Sequence, residues 1–499
     1  MLKQRFALLG LAALTGLVWL SSTGTALGQQ ATVHNVPLSD LTAFKDPGKS
    51  WEIAGNVSAD LSKKNVLNTS KGSGILVNLP GKKKQGTDLF SNLEHGDIDL
   101  ELDYMMASGS NSGIYLQGRY ELQLEDTWAA KIAKSGNNGG IYQRWDDSKP
   151  EDLKGYEGYA PRQNASKAPG LWQHLKVSFQ APRFDDAGKK TANAIFLRVE
   201  LNGVLIHENV ELSGPTRGSI SADEKATGPL RIQGDHGAVA FRKISIKNKP
   251  IAKPANVTVA ENKGQDDKVR NADEVIEDDD QADPVLVHAP VNTTLRSFMD
   301  LPGKIRVVHA VSVGSSEQVH YTYDLDNGAI IQVWRGGFLD ATPMWHERGD
   351  GSSRPLGAVQ RFGKPVLNIA KLSSPQAAWI SDTTATGYKI NGYELDDQDR
   401  PTFSYSTYGK LITDATVVIE NGRGINRTIT IDNPSDDLYV RLTEAANIEE
   451  VDGTYLVDDK SYYLRIEDAA GAKPIIRDLN GRKELIVPVR SKLSYSILF

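Results

Sequence analysis

Residues 120–126 concentrate side chains that could perform acid–base chemistry. Glu121, Gln123 and Glu125 recur at every second position, so in a strand they share one face, and apolar residues between them take the other. A carboxylate on such a face can act as a general base or acid. A solvent-facing edge strand would give the same pattern. We predict catalytic roles for Glu121 and Asp126 and substrate contacts for Gln123 and Glu125, although Asp126 could instead cap the segment that follows.

Two histidines are further candidates, because imidazole titrates near neutral pH. Asp235 and His236 are adjacent, and we predict that His236 is catalytic and that Asp235 contacts the substrate. We expect the hydrogen-bond partner of His236 to lie elsewhere, since neighbouring side chains are poorly placed to orient one another. His207 is a predicted substrate contact. A purely structural histidine is the alternative in each case.

Four arginines and one tyrosine could contact a bound substrate. Each arginine could equally form a surface ion pair. Tyr142 could stack on a ring of the substrate. The predicted arginine contacts are Arg119, Arg144, Arg162 and Arg217.

The elements that must position these residues are predicted to be β-strands. Residues 98–104 alternate between apolar and acidic side chains, and residues 194–212 form two strands around an Asn-Gly turn. Residues 114–116 and 120–124 pair around a turn that contains Gly118. One short helix is predicted at residues 128–133. Strands at short spacing without long helical patterns predict an all-β protein built of sandwiches or jelly rolls.

Charge and composition divide the 499 residues into four parts. Residues 1–28 have the basic start, apolar stretch and small-residue end of a cleavable signal peptide, which predicts a secreted or periplasmic protein. We predict a first domain at 31–248, a flexible acidic linker at 249–292 and a second β-rich domain at 293–499. The segment 260–283 holds ten acidic and three basic residues, too polar to bury a core.

The composition also excludes several classes of function. The chain contains no cysteine, which excludes disulfides, thiolate metal sites and cysteine nucleophiles. The net charge of −6 comes mostly from the linker, so the two domains carry no basic footprint for nucleic acid. No later apolar run is long enough for a membrane anchor.

Six motifs in the first domain, in order, resemble the 3-keto-disaccharide hydrolase domain family over about residues 38–247. They read SNSGIY (110–115), GRYELQLED (118–126), GGIY (139–142), APGLWQ (168–173), LNG (201–203) and GPLRIQGDHG (228–237), the last leading to FRKI (241–244). The chain departs from the family at Gln117, where Arg is common, and at Lys243, where Asn is common. The resemblance implies a concanavalin-like jelly roll with a concave sugar-binding face.

The resemblance also implies a carbohydrate substrate that is oxidised to a ketone at carbon three. The ketone acidifies the neighbouring C2 proton, so a base can remove it, the glycosidic oxygen can leave, and water can add to the enone. A divalent metal ion is a possible cofactor at the enolate. A carbohydrate-binding, non-catalytic protein on the same scaffold is the alternative. The C-terminal region resembles a β-rich module of secreted bacterial proteins without an assigned activity.

Overall fold

The computed structural model describes residues 32–249, 283–346, 349–380 and 382–499. The predicted signal peptide and most of the predicted acidic linker lie outside these ranges. The described N-terminal strands are β1 (Thr32–Asn35), β2 (Phe44–Lys45), β3 (Trp51–Ala59), β4 (Leu67–Asn78), β5 (Leu89–His95), β6 (Ile98–Met106), β7 (Asn111–Leu116), β8 (Tyr120–Glu125), β9 (Arg144–Trp145), β10 (Gly155–Tyr156), β11 (Gln173–Gln180), β12 (Arg183–Phe184), β13 (Lys190–Ala192), β14 (Ala194–Leu201), β15 (Val204–Leu212), β16 (Gly228–Ile232) and β17 (Val239–Asn248), with a short 3₁₀ helix at Glu151–Leu153.

These N-terminal strands form a sandwich of two main antiparallel sheets. One sheet has the order β15-β14-β11-β6-β17-β4-β3, with β1 also paired to β17, and the other has the order β2-β5-β16-β7-β8. Alternate residues of both sheets point inward and form one buried apolar core, to which Leu100, Leu122 and Phe196 belong. Crossovers between non-consecutive strands make this a jelly-roll arrangement rather than a meander.

The C-terminal region is also built of antiparallel sheets, with one four-residue α-helix. Its elements are β18 (Leu286–Val287), β19 (Thr293–Leu301), β20 (Ile305–Gly314), β21 (Val319–Asp324), β22 (Ala329–Asp340), α1 (Thr342–Trp345), β23 (Ser352–Arg361), β24 (Ile369–Lys371), β25 (Lys389–Leu395), β26 (Pro401–Thr407), β27 (Lys410–Val418), a 3₁₀ helix (Glu420–Gly422), β28 (Gly424–Ile431), β29 (Leu438–Ala445), β30 (Ile448–Val451), β31 (Thr454–Val457), β32 (Tyr462–Asp468), β33 (Ile475–Leu479), β34 (Arg482–Pro488) and β35 (Lys492–Leu498).

Three sheets make up this second region, and the all-β prediction is confirmed. They contain six strands (β18-β22-β21-β20-β19-β23), four strands (β24-β29-β34-β33) and eight strands (β25-β26-β27-β28-β35-β32-β31-β30). The predicted linker ran to residue 292, but residues 286–287 already pair with the end of β22. Within the described ranges, no helix has the length and hydrophobicity that a bilayer crossing requires.

The helix predicted at residues 128–133 is wrong, because this segment forms turns. Its carbonyl groups find a partner outside the segment. The side-chain amide of Asn164 donates to the carbonyls of Thr127, Trp128 and Ala130 at 2.9, 3.1 and 2.9 Å. A side chain therefore satisfies acceptors that a helix would have satisfied internally.

Loops of the N-terminal region contact the C-terminal sheets directly. The Tyr463 hydroxyl donates to the Pro169 carbonyl at 2.9 Å. The Gln163 side chain accepts from the Gly337 amide at 2.7 Å and donates to the Leu356 carbonyl at 2.8 Å. These buried polar contacts fix the loop at residues 163–169 against the second region.

Candidate active site on the outer face of the five-stranded sheet

Strand register places three polar side chains in one row across the five-stranded sheet. Arg231 of β16 lies opposite Tyr115 of β7, and Tyr115 lies opposite Glu121 of β8. The residues next to them in sequence belong to the apolar core: Ile232, Ile114, Tyr120 and Leu122. Because side chains alternate between the two faces of a strand, the row points to the face opposite the core. The predicted two-faced character of residues 120–124 is thereby confirmed.

A segment at residues 139–142 pairs with β8 and extends the sheet at this edge. The Gly139 amide donates to the Gln123 carbonyl, and the Tyr142 amide donates to the Glu121 carbonyl, at 2.8 and 3.0 Å. Ile141 pairs with Leu122 and joins the core. Tyr142 therefore lies on the same face as Glu121, as a substrate contact there would require.

Glu121 is a buried carboxylate whose oxygens are unpaired. The residue is 1% exposed, and neither oxygen has a hydrogen-bond partner of normal geometry among the described residues. Gly113 makes room for it, because a Cβ at that position would overlap Oε1 of Glu121. Burying a carboxylate without partners is costly, so such a group is a strong indication of a functional site.

The surroundings of Glu121 keep its carboxyl group protonated up to neutral pH. Burial raises the pKa of Glu121 to about 8, and the nearby carboxylates of Asp88 and Asp235 act in the same direction. The Tyr115 hydroxyl and the Arg231 guanidinium oppose the shift without cancelling it. A carboxyl group with this pKa can both release and accept a proton near neutral pH.

Arg231 is held rigidly beside this carboxyl. Its Nε donates to Asp88 at 2.7 Å, and its Nη1 donates to the Gly218 carbonyl. The guanidinium carbon lies 4.2 Å from the centre of the Tyr115 ring, a cation–π contact. Burial raises the pKa of Tyr115 far above its usual range, so its hydroxyl stays protonated and can donate a hydrogen bond.

Two amide oxygens add unpaired acceptors next to Glu121. Oε1 of Gln123 and Oε1 of Gln233 are both buried without a hydrogen-bond partner in the described part of the chain. Gln123 lies opposite Gly113 in the β7–β8 pair, and the backbone N–H of Gln233 donates to the Gly113 carbonyl at 2.9 Å. Sugar hydroxyls are donors that such acceptors could bind.

His236 has its hydrogen-bond partner next to it in sequence, so the prediction that its partner lies elsewhere is wrong. Nδ1 of His236 is 2.5 Å from Oδ1 of Asp235, because the loop after β16 turns both side chains the same way. Both side chains are about half exposed. With Nδ1 bonded to a carboxylate, Nε2 is the nitrogen that can serve as a base or, when protonated, as an acid.

Arg217 forms the exposed rim of the same face. Its guanidinium carbon lies 3.8 Å from the Trp145 ring centre. The Tyr115 hydroxyl donates to the Arg217 carbonyl at 3.4 Å, which links this loop to the central row. The stacked pair offers a flat cationic surface beside Glu121.

Two other predicted arginine contacts hold loops in place. Arg119 is buried, and its Nε and Nη1 donate to the carbonyls of Asp223 and Gln117 at 2.7 and 2.8 Å. Arg144 pairs with Glu157 at 3.2 Å. Both guanidinium groups hold loops around the site, although Nε of Arg144 has no hydrogen-bond partner among the described residues.

Arg162 and His207 lie on the β15 side of the sandwich. Arg162 pairs with Glu208 at 3.2 Å. Nε2 of His207 hydrogen-bonds the Gly139 carbonyl at 2.7 Å, and burial lowers the pKa of His207 to about 4, so the ring is neutral. His207 therefore supports the segment at 139–142 that pairs with β8, and its Nε2 is occupied by the backbone.

The two carboxylates that follow Glu121 along the chain have backbone or amide partners. Glu125 accepts a hydrogen bond from Asn137 at 3.1 Å. Asp126 accepts from the Gly109 amide at 2.7 Å, and burial raises its pKa despite this bond and a second one from the Trp128 backbone. The capping alternative for Asp126 thus has direct contacts to support it.

Sequence reasoning missed Tyr115, Arg231 and Asp88. The turn at Gln117-Gly118 would have been a sufficient signal for Tyr115, because it sets the register that puts Tyr115 opposite Glu121. Arg231 sits between two core residues, which places it on the outer face. Asp88 precedes β5 and carried no detectable pattern.

The donor set does not fit the metal ion considered from sequence. In the described ranges, no three His, Asp or Glu side chains gather as they would around a cation. Asp88, the carboxylate nearest to the central row, is engaged by Arg231 and by the Gly234 amide. No step below depends on a metal.

A family model matches the N-terminal region. The family model described as the 3-keto-alpha-glucoside-1,2-lyase-like domain matches residues 39–247, which confirms the resemblance seen in the motifs. This match supports a carbohydrate-active, glycoside-hydrolase-like function for the region. No curated protein is similar enough in sequence to match the chain.

Several solved structures are similar to parts of the chain. A candidate glycosyl hydrolase from Parabacteroides distasonis is 22% identical, with 48% of this chain and 100% of that chain covered and a TM-score of 0.30. A second one from the same organism is 16% identical, with 44% and 100% covered and a TM-score of 0.30. The botulinum neurotoxin serotype D binding domain is 8% identical, with 94% and 92% covered and a TM-score of 0.23.

Proposed function

We propose that the N-terminal domain cleaves the glycosidic bond of 3-keto-glycosides, with Glu121 as the base that removes the C2 proton. The observation that carries this proposal is the buried carboxylate of Glu121, which has no hydrogen bond of normal geometry among the described residues and whose pKa burial raises to about 8 despite the neighbouring Tyr115 hydroxyl. A C–H beside a ketone is a weak acid, so the base that removes its proton must itself be fairly basic. An ordinary glutamate would be too weak a base for this step.

The remaining groups of the site suit the steps that follow. Proton removal places negative charge on the C3 oxygen, and the Tyr115 hydroxyl, which stays protonated, is a donor for that oxygen. His236 protonates the leaving glycosidic oxygen as the C1–O bond breaks. Water then adds to the C1–C2 double bond, its hydroxyl to C1 and its proton to C2, and the net reaction is hydrolysis.

Ordinary hydrolysis by two carboxylates is a poorer fit to the same residues. That mechanism needs an acid and a second carboxylate on opposite sides of the sugar. Asp88 is held by Arg231, and Asp126 is held by backbone amides. Glu121 therefore lacks an uncommitted carboxylate partner among these neighbours.

A non-catalytic carbohydrate-binding function is the second candidate. The observation that favours it is the stacked Arg217–Trp145 pair at the rim, because planar cationic and aromatic surfaces bind sugars without any chemistry. This function would need the rim and not Glu121.

Incubation of the purified chain with a 3-keto-glucoside separates the two functions. Release of the free aglycone by the wild type, lost in Glu121→Gln and retained in Glu101→Gln at an exposed position of β6 in the other sheet, supports the enzyme. Sugar binding that is unchanged in Glu121→Gln, without aglycone release by any variant, supports the binding protein. Equal turnover of the unoxidised glucoside would contradict the keto-specific mechanism.

We also propose that the protein is secreted after removal of residues 1–28. The support is the sequence pattern of this segment, which lies outside the described residues. Mass spectrometry of protein from the periplasm or medium should give a mature chain that starts near Gln29. A chain retained in the cytoplasm with Met1 intact would contradict the proposal.

A further inference from the structure

A cavity of about 800 Å³ lies between two sheets of the C-terminal region. Residues of β29 and β34 line one side, and residues of β28, β32 and β35 line the other. Its volume is in the range of small-ligand sites. It is separate from the row around Glu121, because none of that row lines it.

One wall of the cavity is a network of charges in which arginines outnumber carboxylates. Nη1 of Arg441 donates to Glu444 at 2.9 Å and also binds Glu484. Nε of Arg477 donates to Glu484 at 2.7 Å, and Nε of Arg482 donates to Glu444 at 2.7 Å. Arg441, Arg482, Glu444 and Glu484 line the cavity, whereas Arg477 lies behind this wall and does not line it. The excess positive charge of the network therefore comes from Arg477 behind the two lining ion pairs.

The opposite wall is neutral and carries aromatic hydroxyls. Arg427 is 1% exposed, but Asp414 neutralises it through a hydrogen bond from Nε at 2.9 Å. The Tyr495 hydroxyl accepts from Nη1 of Arg427 at 3.1 Å. The Tyr462 hydroxyl lies 2.7 Å from Oγ1 of Thr443. The uncompensated charge therefore stays on the arginine network.

The positive excess extends to the mouth of the cavity. Arg482 is about half exposed there, and the exposed Lys364 lines the same cavity. The aromatic surface nearby comes from Trp379, whose ring centre is 5.0 Å from the Arg441 guanidinium carbon. A ligand must therefore combine negative charge with hydroxyls and apolar C–H surfaces.

We propose that this cavity binds an acidic saccharide, a sugar unit that carries a carboxylate. The saccharide part of the assignment rests on the proposed carbohydrate-active function of the N-terminal domain, while the acidic part rests on the charge network. The carboxylate lies toward Lys364 and Arg482 at the mouth, and the ring lies against the tyrosines. The chain then carries a glycan-holding site apart from the site of cleavage.

Calorimetric titration of the full chain tests this site with trigalacturonate as the probe and maltotriose as its neutral counterpart. We expect trigalacturonate to bind at least about tenfold more tightly, with affinity that falls as salt rises. Equal affinity for both sugars, or no binding of trigalacturonate, would overturn the proposal. Sodium acetate that binds as tightly would reduce the site to a simple anion site and also overturn it.

Two double variants locate the binding. Lys364→Gln with Arg482→Gln should lower the affinity about tenfold or more, because each removes a partner of the carboxylate. Lys389→Gln with Arg490→Gln removes the same charge from exposed positions that do not line the cavity, and should bind as the wild type does. An equal loss of trigalacturonate affinity in both double variants would mean that the protein attracts the anion through its overall charge, and it would refute a site in the cavity.

The Glu121→Gln variant separates this proposal from the catalytic one. It should lose aglycone release from the keto-glucoside and keep the wild-type affinity for trigalacturonate. A loss of trigalacturonate binding in Glu121→Gln would place the ligand in the N-terminal domain and contradict a C-terminal site.

Discussion

Replacement of Glu121 by Gln should stabilise the protein at high pH and hardly change it at low pH. Gln keeps the shape of the side chain and cannot ionise. The folded state holds the pKa of Glu121 at about 8, above its ordinary value of 4.5. Between these two values the folded protein binds more protons at this site than the unfolded chain, so stability falls as pH rises through that window.

The size of the effect follows from the pKa shift. Each unit of difference corresponds to about 1.4 kcal/mol, so the shift sets an upper limit of about 5 kcal/mol at pH above 8. A domain of this size changes its unfolding temperature by about 2–4 °C for each kcal/mol. We therefore expect the variant to unfold several degrees above the wild type in alkaline buffer.

Differential scanning calorimetry at about pH 5 and about pH 9 measures this difference, since the two conditions lie on either side of most of the shift. Glu125→Gln is the matched control, because Glu125 lies on the same strand and accepts a hydrogen bond from Asn137. It should not gain stability at the higher pH.

An equal difference between wild type and Glu121→Gln at both pH values would refute the reasoning. So would a wild type that is as stable as the variant at about pH 9. Either result would mean that the folded protein solvates the Glu121 carboxylate, and the argument for a strong base at this position would fail with it.

Three further predictions concern other residues of the structure. Gly113→Ala should displace the Glu121 carboxylate, because the new Cβ would occupy its place. The variant should lower kcat for the keto-glucoside by about tenfold or more. Gly188→Ala, in an exposed turn, should leave kcat unchanged. Arg335 is buried, its Nε and Nη2 have no hydrogen-bond partner among the described residues, and burial lowers its pKa to about 10. Arg335→Met should therefore leave the unfolding temperature unchanged or raise it by an amount equivalent to about 1–4 kcal/mol. A large loss of stability would contradict this prediction. Asp414→Ala should lower the free energy of unfolding in urea by about 3–5 kcal/mol, because it leaves the Arg427 cation buried and without a counter-charge. Asp436→Ala removes an exposed ion pair and should lower it by under about 1 kcal/mol. Similar losses in both variants would show that Arg427 finds another partner.

The strands of the N-terminal sandwich could be predicted because their side chains alternate. The Asn-Gly turn at 202–203 joins β14 and β15 as expected, and the turn at Gln117-Gly118 joins β7 and β8. These are local signals, set by period and by backbone preference at the turn. The segment at 128–133 misled the prediction because the side chain that satisfies its carbonyls, Asn164, lies far along the chain.

The candidate site was predicted in part. Glu121 was recognised from residue type and spacing, and Tyr142 shares its face. Arg119 and His207 stay predicted substrate contacts, and their polar atoms bind backbone carbonyls that only the folded chain brings to them. Residue type alone does not distinguish a side chain that holds a loop in place from one that binds the substrate.

Alternation, turns and ordered motifs are properties of the chain, so the residues alone were enough to predict the fold class, the family resemblance of residues 39–247 and the strand that carries Glu121. Only the tertiary structure decided what Glu121 is. The pairing of residues 139–142 with β8, the space left by Gly113 and the row with Tyr115 and Arg231 join segments separated by up to about a hundred residues. Desolvation depends on everything packed around a group, so the raised pKa of Glu121 exists only once those segments have come together.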